Sequence, residues 1–197
     1  VIETFLRPPQ RPAEFAADAV RVLGTVSVLV AGLVWGAVAF WVCALSLLGV
    51  YASRFLGFRP ALDIALGSTL LVAAWSSVLD LYTTVVGWDL VVHFAANGLI
   101  ASAGSILLTR VGALPAATTR LHATVQATTV GLAAAVVWEV AEWVGHNFVD
   151  PTIYVAYDDT IGDLVAGGLG SLLAGAFAGY LAARSRVVVP DSSGARR

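Results

Sequence analysis

The stretch Val22–Ser53, VLGTVSVLVAGLVWGAVAFWVCALSLLGVYAS, contains no charged side chain. At 1.5 Å of rise per residue it is longer than the roughly 30 Å hydrocarbon core of a bilayer requires. It is therefore one long tilted helix or a tight hairpin. No polar turn interrupts it, which favours the single helix. Gly32 and Gly36 form a small-xxx-small pattern, which permits close helix approach. Cys43 lies inside the run as a small core or lipid-facing residue, so there is neither a disulfide framework nor a CxxC metal site.

The whole chain shares this character. Of 197 residues, 58% are hydrophobic and 12% charged, with a mean hydropathy of +0.84. Soluble domains sit near 45–50% apolar and about 25% charged. The chain reads as an all-α, polytopic transmembrane helix bundle in the cell (plasma) membrane, with the lipid bilayer as its first partner. The net charge of −2 excludes nucleic acid, which needs a basic stripe. A homo-oligomer or a subunit of a larger membrane complex stays open.

Residues 1–12, with Pro8, Pro9 and Pro12, read as an exposed, non-helical N-terminal arm. Residues 13–184 form a single transmembrane helical domain, and residues 185–197 a disordered tail. After the first run, breaks at Arg54–Pro60 and Val111–Arg120 delimit further spans at about 61–82, 87–110, 121–147 and 160–183. Five spans result, or six if the first run is a hairpin. Five would leave Arg7, Arg11 and Arg21 opposite the other arginines, whereas six would collect every Arg on one side. Arginine bias makes the Arg-rich side, with the C-terminus, cytoplasmic in either case.

The opposite face is acidic. Asp80, Asp89, His93, Glu139, Glu142, His146, Asp158, Asp159 and Asp163 all fall towards it, and no Arg or Lys occurs between Arg120 and Arg184. Residues three or four apart share a helix face. Asp89 pairs with His93 in this way, as do Glu139, Glu142 and His146, and Asp159 with Asp163. Asp158 points away and suits an N-cap or a loop. Asp80 closes the second span at the same level, and His122 belongs to the other interface. Carboxylates at span ends also suit helix N-termini, but a set without bases points to a shared proton or a cation. The candidate metal ligands are Asp89, His93, Glu139, Glu142, His146, Asp159 and Asp163. Histidine and carboxylate without cysteine suit Zn, Mn or Fe, and a mainly carboxylate subset suits Ca or Mg. The soluble di-iron pattern Glu-x-x-His is not matched.

Three motifs carry a family resemblance: WDLVVHF at Trp88–Phe94, the Glu-x2-Glu-Trp of Glu139–Trp143, and DDTIGDLVAGGLGSLLAG at Asp158–Gly175. Together, over about residues 61–179, they resemble the YjdF-like small bacterial inner-membrane proteins and, more distantly, the VanZ-like type. Asp89, His93, Glu139, Glu142, Asp159 and Asp163 match motif positions. Leu90 stands where a basic residue often follows the first Asp, and Gly167 where Asn follows the last. The resemblance implies a fold and a site and brings no reaction with it.

The expected function is a membrane enzyme that uses a divalent metal at the extracytoplasmic interface on lipid or cell-envelope substrates. A proton- or cation-coupled transporter is the alternative. A third reading is a non-catalytic membrane subunit with a structural cation site, in which Gly175 and Gly179 form a packing seam.

Overall fold

Gly36 divides the charge-free run. The computed structural model describes residues 2–178, with side chains from Thr4 onward. In it α2 (Pro12–Trp35) ends and α3 (Ala37–Leu56) begins on either side of this one residue. Gly36 has φ 90° and ψ −167°, a conformation open essentially only to glycine. A Cβ there would meet nothing within 4 Å, so backbone conformation rather than crowding demands the glycine. The expected single tilted helix is thus a hairpin. Exposed Trp35 and Trp41 flank its turn, and amphipathic rings of this kind anchor at a membrane interface. An apolar turn needs no polar residue when one glycine reverses the chain. Gly36 is therefore a hinge point rather than half of a packing motif.

The order is completed by α1 (Ile2–Leu6), α4 (Pro60–Val78), α5 (Leu81–Thr84), α6 (Trp88–Arg110), α7 (Arg120–Phe148) and α8 (Tyr157–Ala176). Among the described residues five helices, α2, α3, α4, α6 and α7, are long and apolar enough to cross a membrane. The number agrees with the sequence, but two of the five come from the first run. The sixth long helix, α8, has 20 residues and carries Asp158, Asp159 and Asp163 near its start. It packs against both α6 and α7.

Two three-helix units result. Helices α2, α3 and α4 pack on one another around Val28, Ala31, Ala39, Cys43 and Ala74. Helices α6, α7 and α8 do the same, and α4 against α6 joins the units. That joint uses Leu62 and Leu66 of α4 with Leu99, Ile100 and Ala103 of α6. Within the second unit, α6 and α8 meet backbone to backbone. A Cβ on Gly170 would lie 1.9 Å from the Phe94 carbonyl oxygen, and one on Gly98 would lie 2.8 Å from that of Gly170. Glycine is required here by proximity, which van der Waals packing between membrane helices rewards.

The N-terminal arm is not free of helix. Ile2–Leu6 forms a short helix, and Phe5 stacks on Phe55 at 4.3 Å between ring centroids. Arg54 fixes it by donating to the carbonyls of Phe5, at 3.2 Å, and Arg7. The prolines begin only after this turn, so they end it rather than prevent it. Gly179, the end of the last expected span and the tail 185–197 lie outside the described residues.

Helix direction alternates along the chain, so Arg7, Arg11, Arg21, Arg54, Arg59, Arg110 and Arg120 all fall towards one end. At that end lies a buried ion network. One Arg21 guanidinium nitrogen, Nη2, reaches both carboxylate oxygens of Asp63, at 2.6 and 2.5 Å. Its Nη1 donates to Asp18 at 2.7 Å. Ser53 also donates to Asp63, and Arg54 approaches Asp18 at 3.6 Å.

Candidate functional site

The opposite end is built from the starts of α6 and α8 and the end of α7. His93 lies five residues inside α6, Glu142 six before the end of α7, and Asp163 six inside α8. At 1.5 Å per residue these positions are each about 7–9 Å from a helix end, so the three helices deliver them to one level. Asp89 is one turn above His93 on the same face, and Glu139 one turn below Glu142.

The side chains meet. His93 Nε2 stands 3.3 Å from Asp89 Oδ1 and 3.9 Å from Asp163 Oδ2. Asp89, His93 and Asp163 form one group whose ligand atoms all lie within 4.8 Å of one another, and His93, Glu139 and Glu142 form a second. His93 is 7% exposed and Asp163 1%. Yet His93 Nδ1, Asp163 Oδ1 and Glu139 Oε1 are buried without a hydrogen-bond partner. An orphaned buried polar group costs about 1–3 kcal/mol, more when charged. Three of them fall within the two groups, each a polar atom with capacity to spare.

Five of the seven candidate ligands therefore converge: Asp89, His93, Glu139, Glu142 and Asp163. Asp159 is one turn above Asp163 and outside both groups. His146 is also outside them. Its Nδ1 lies 2.6 Å from the carbonyl oxygen of Ile153 in the α7–α8 connection. It shares a face with Glu142 but sits one turn closer to the helix end, where the chain turns back and offers a carbonyl first. Asp158 lies in the first turn of α8, whose N-cap is Ala156 rather than an acidic residue. Asp80 adopts a left-handed conformation, φ 57°, at the start of α5 and joins neither group.

The connection over the site is ordered by its own hydrogen bonds. Asp150 accepts from the Thr152 backbone at 2.9 Å and from its hydroxyl at 2.7 Å. These two bonds hold the Asp150 carboxyl below its ordinary range. The Ile153 side chain reaches Gly145, where a Cβ would lie 2.8 Å from its Cδ1.

Sequence reasoning missed the polar wall on the α4 side. Trp88 donates to Ser76 at 2.8 Å and Tyr82 to the Ala73 carbonyl at 2.9 Å. Burial, then the negative charge of Asp89, Glu142 and Asp163, pushes the Tyr82 hydroxyl well up from its ordinary value, so it remains a donor. The available signal was weak: a tyrosine nine residues after Ala73, across a helix break. Beneath the site, Asn97 donates to the His93 carbonyl at 3.1 Å, and Ser171 to that of Gly167 at 2.7 Å.

The arrangement can bind a divalent cation through oxygen and imidazole ligands, or hold a shared proton. Residues 16–184 match the model of a family described as predicted membrane protein (DUF2238), and the chain belongs to that family. No curated protein and no solved structure matches the chain.

Proposed function

We propose that this DUF2238 membrane protein is a divalent-cation-dependent membrane enzyme acting on lipid or lipid-linked cell-envelope substrates from its arginine-free face. The observation that carries the reading is the convergence of Asp89, His93, Glu139, Glu142 and Asp163 with three buried, unpartnered polar atoms among them. Buried charge without a partner costs several kcal/mol per ion. A cation ligated by these groups removes that cost, and Zn, Mn or Fe fits a set of mixed carboxylate and imidazole. Held by these residues, such an ion would supply activation of water, and a carboxylate that is not one of its ligands, such as Asp159 one turn above Asp163, would serve as base. The depth of about 7–9 Å below the helix ends suits the headgroup level. The YjdF-like resemblance agrees with the family.

The arginine-rich end faces the cytoplasm in this reading, following the bias that fixes most membrane topologies. The site then opens outward. Cysteines introduced at Thr84 and Thr152 should react with an impermeant maleimide added outside intact cells, and labelling only after lysis would reverse the orientation. Native Cys43 is fully buried and gives little background.

Metal analysis of the purified protein tests the central point. Wild type should retain a divalent metal that the double variant His93→Ala with Glu142→Ala loses; a metal-free wild type that also refuses added Zn²⁺ and Mn²⁺ sinks the reading. Incubation with a lipid extract in nanodiscs, followed by mass spectrometry, should show a product that needs both metal and Glu142. Transport is the weaker reading. Asn97, Ser102 and Ser171 continue below His93, but each donates to a carbonyl of its own helix, which leaves the Ser105 hydroxyl as the unpartnered group on that side. Cation or proton flux in liposomes, abolished by Asp163→Asn, would favour it instead.

A further inference from the structure

We propose that the site holds two divalent cations rather than one. The inference rests on the metal reading above and concerns its stoichiometry.

Charge comes first. Asp89, Glu139, Glu142 and Asp163 bring four negative charges, and His93 as a metal ligand is neutral. Among the described residues no Arg forms an ion pair with any of them. One divalent ion leaves a net −2, and two leave zero. Uncompensated charge within a span is unfavourable, less so near the interface. Two ions make the arrangement neutral.

Geometry agrees. The five side chains fall into two triads, Asp89–His93–Asp163 and His93–Glu139–Glu142, which share only His93. A single shared point would place all five ligand atoms within one span of 4.8 Å, and they do not form such a group. The unpartnered atoms are divided in the same way. Asp163 Oδ1 belongs to the first triad, Glu139 Oε1 to the second, and His93 Nδ1 to the residue between them. His93 Nε2 faces Asp89 and Asp163, which assigns it to the first ion. Glu139 and Glu142 hold the second, with water completing its shell. The two triads meet at one imidazole, which would place two ions as neighbours, the arrangement in which paired metals act on one substrate. Carboxylate-rich pairs on facing helices suit Mn²⁺ or Fe²⁺.

The pair also gives the site a means of holding an anionic headgroup although no arginine is near. Two cations present open coordination positions of the sign that guanidinium groups otherwise supply.

Full-length protein in nanodiscs, stripped with chelator and reloaded with Mn²⁺ alone or Zn²⁺ alone, tests the count. The expected result is two ions per chain by elemental analysis, with the Mn²⁺ form giving a spin-coupled electron paramagnetic resonance spectrum. Glu139→Gln with Glu142→Gln should halve the content to one ion and replace the coupled spectrum with that of isolated Mn²⁺. One ion per chain in wild type, or an uncoupled spectrum at full loading, overturns the pair and leaves the metal reading standing. No ion of either kind overturns both. Two ions in the double variant would also overturn the assignment, because the second triad would then be idle. Should the variant fail to fold, the wild-type spectrum decides alone.

Discussion

Asp63 in the first three-helix unit and Asp163 in the second are comparably buried, with side chains 11% and 2% exposed. Their company differs. Asp63 receives Arg21 through both oxygens and Ser53 besides. Asp163 has His93 at 3.9 Å and an oxygen with no partner. The first unit neutralises its buried charge from within the chain. The second gathers four carboxylates around one histidine, and in the reading proposed above their neutralisation falls to a cation. The same packing of apolar helices thus encloses a paired network at one end and an unpaired cluster at the other.

The most forceful way to break this contrast is to remove a carboxylate from each unit. Asp63→Ala removes the buried partner of Arg21 Nη2, leaving the guanidinium with Asp18 alone, and should lower stability by up to about 3–5 kcal/mol. Asp163→Asn in chelated protein removes repulsion and should leave thermal unfolding unchanged or raise its midpoint. Equal losses at the two positions would show that Asp163 has a partner of its own. Chelation should have the next largest effect. With free metal at about 100 times its Kd, ligation contributes about 2.7 kcal/mol. Wild type should therefore melt earlier in chelator, and the double variant His93→Ala with Glu142→Ala should not respond. A response retained in that double variant would locate the metal elsewhere.

Gly170→Ala probes how the second unit is held in register. Its methyl would collide with the Phe94 backbone, which cannot swing aside, and about 1–3 kcal/mol of overpacking should follow with weaker metal retention. Gly168→Ala meets only the flexible Leu132 side chain at 3.0 Å and serves as the mild control. The smallest effect belongs to His146→Ala, which forfeits one hydrogen bond to Ile153 and about 1 kcal/mol. Metal content should not change. A stoichiometric loss of metal in this variant would return His146 to the ligand set.

The convergence of Asp89, His93, Glu139, Glu142 and Asp163 was legible before any coordinates, because alternating helix direction and helical periodicity are properties of sequence. His146 was not separable in that way. Its spacing from Glu142 places it on the right face, while the competing carbonyl of Ile153 comes from a loop whose path the sequence does not state. The Arg21–Asp63 pair was invisible for a similar reason. The two residues are 42 positions apart and meet only because α2 packs against α4. An arginine at the edge of the charge-free run, three residues after Asp18, was the available hint. Gly36 reads in the sequence as half of a small-xxx-small pattern, because a turn built on backbone conformation alone leaves no polar mark.

The segregation of charge between the two ends also bears on how the chain enters a membrane. With the arginine-rich end inside, Asp80, Asp89, Glu139, Glu142, Asp150, Asp158, Asp159 and Asp163 must all move outward during insertion, and none of Arg7, Arg11, Arg21, Arg54, Arg59, Arg110 and Arg120 has to cross. A membrane potential negative inside assists that movement by about 2.3 kcal/mol per ionised carboxylate per 100 mV. The field that helps deliver the acids to the outer face is the same one that would afterwards draw cations from outside towards them.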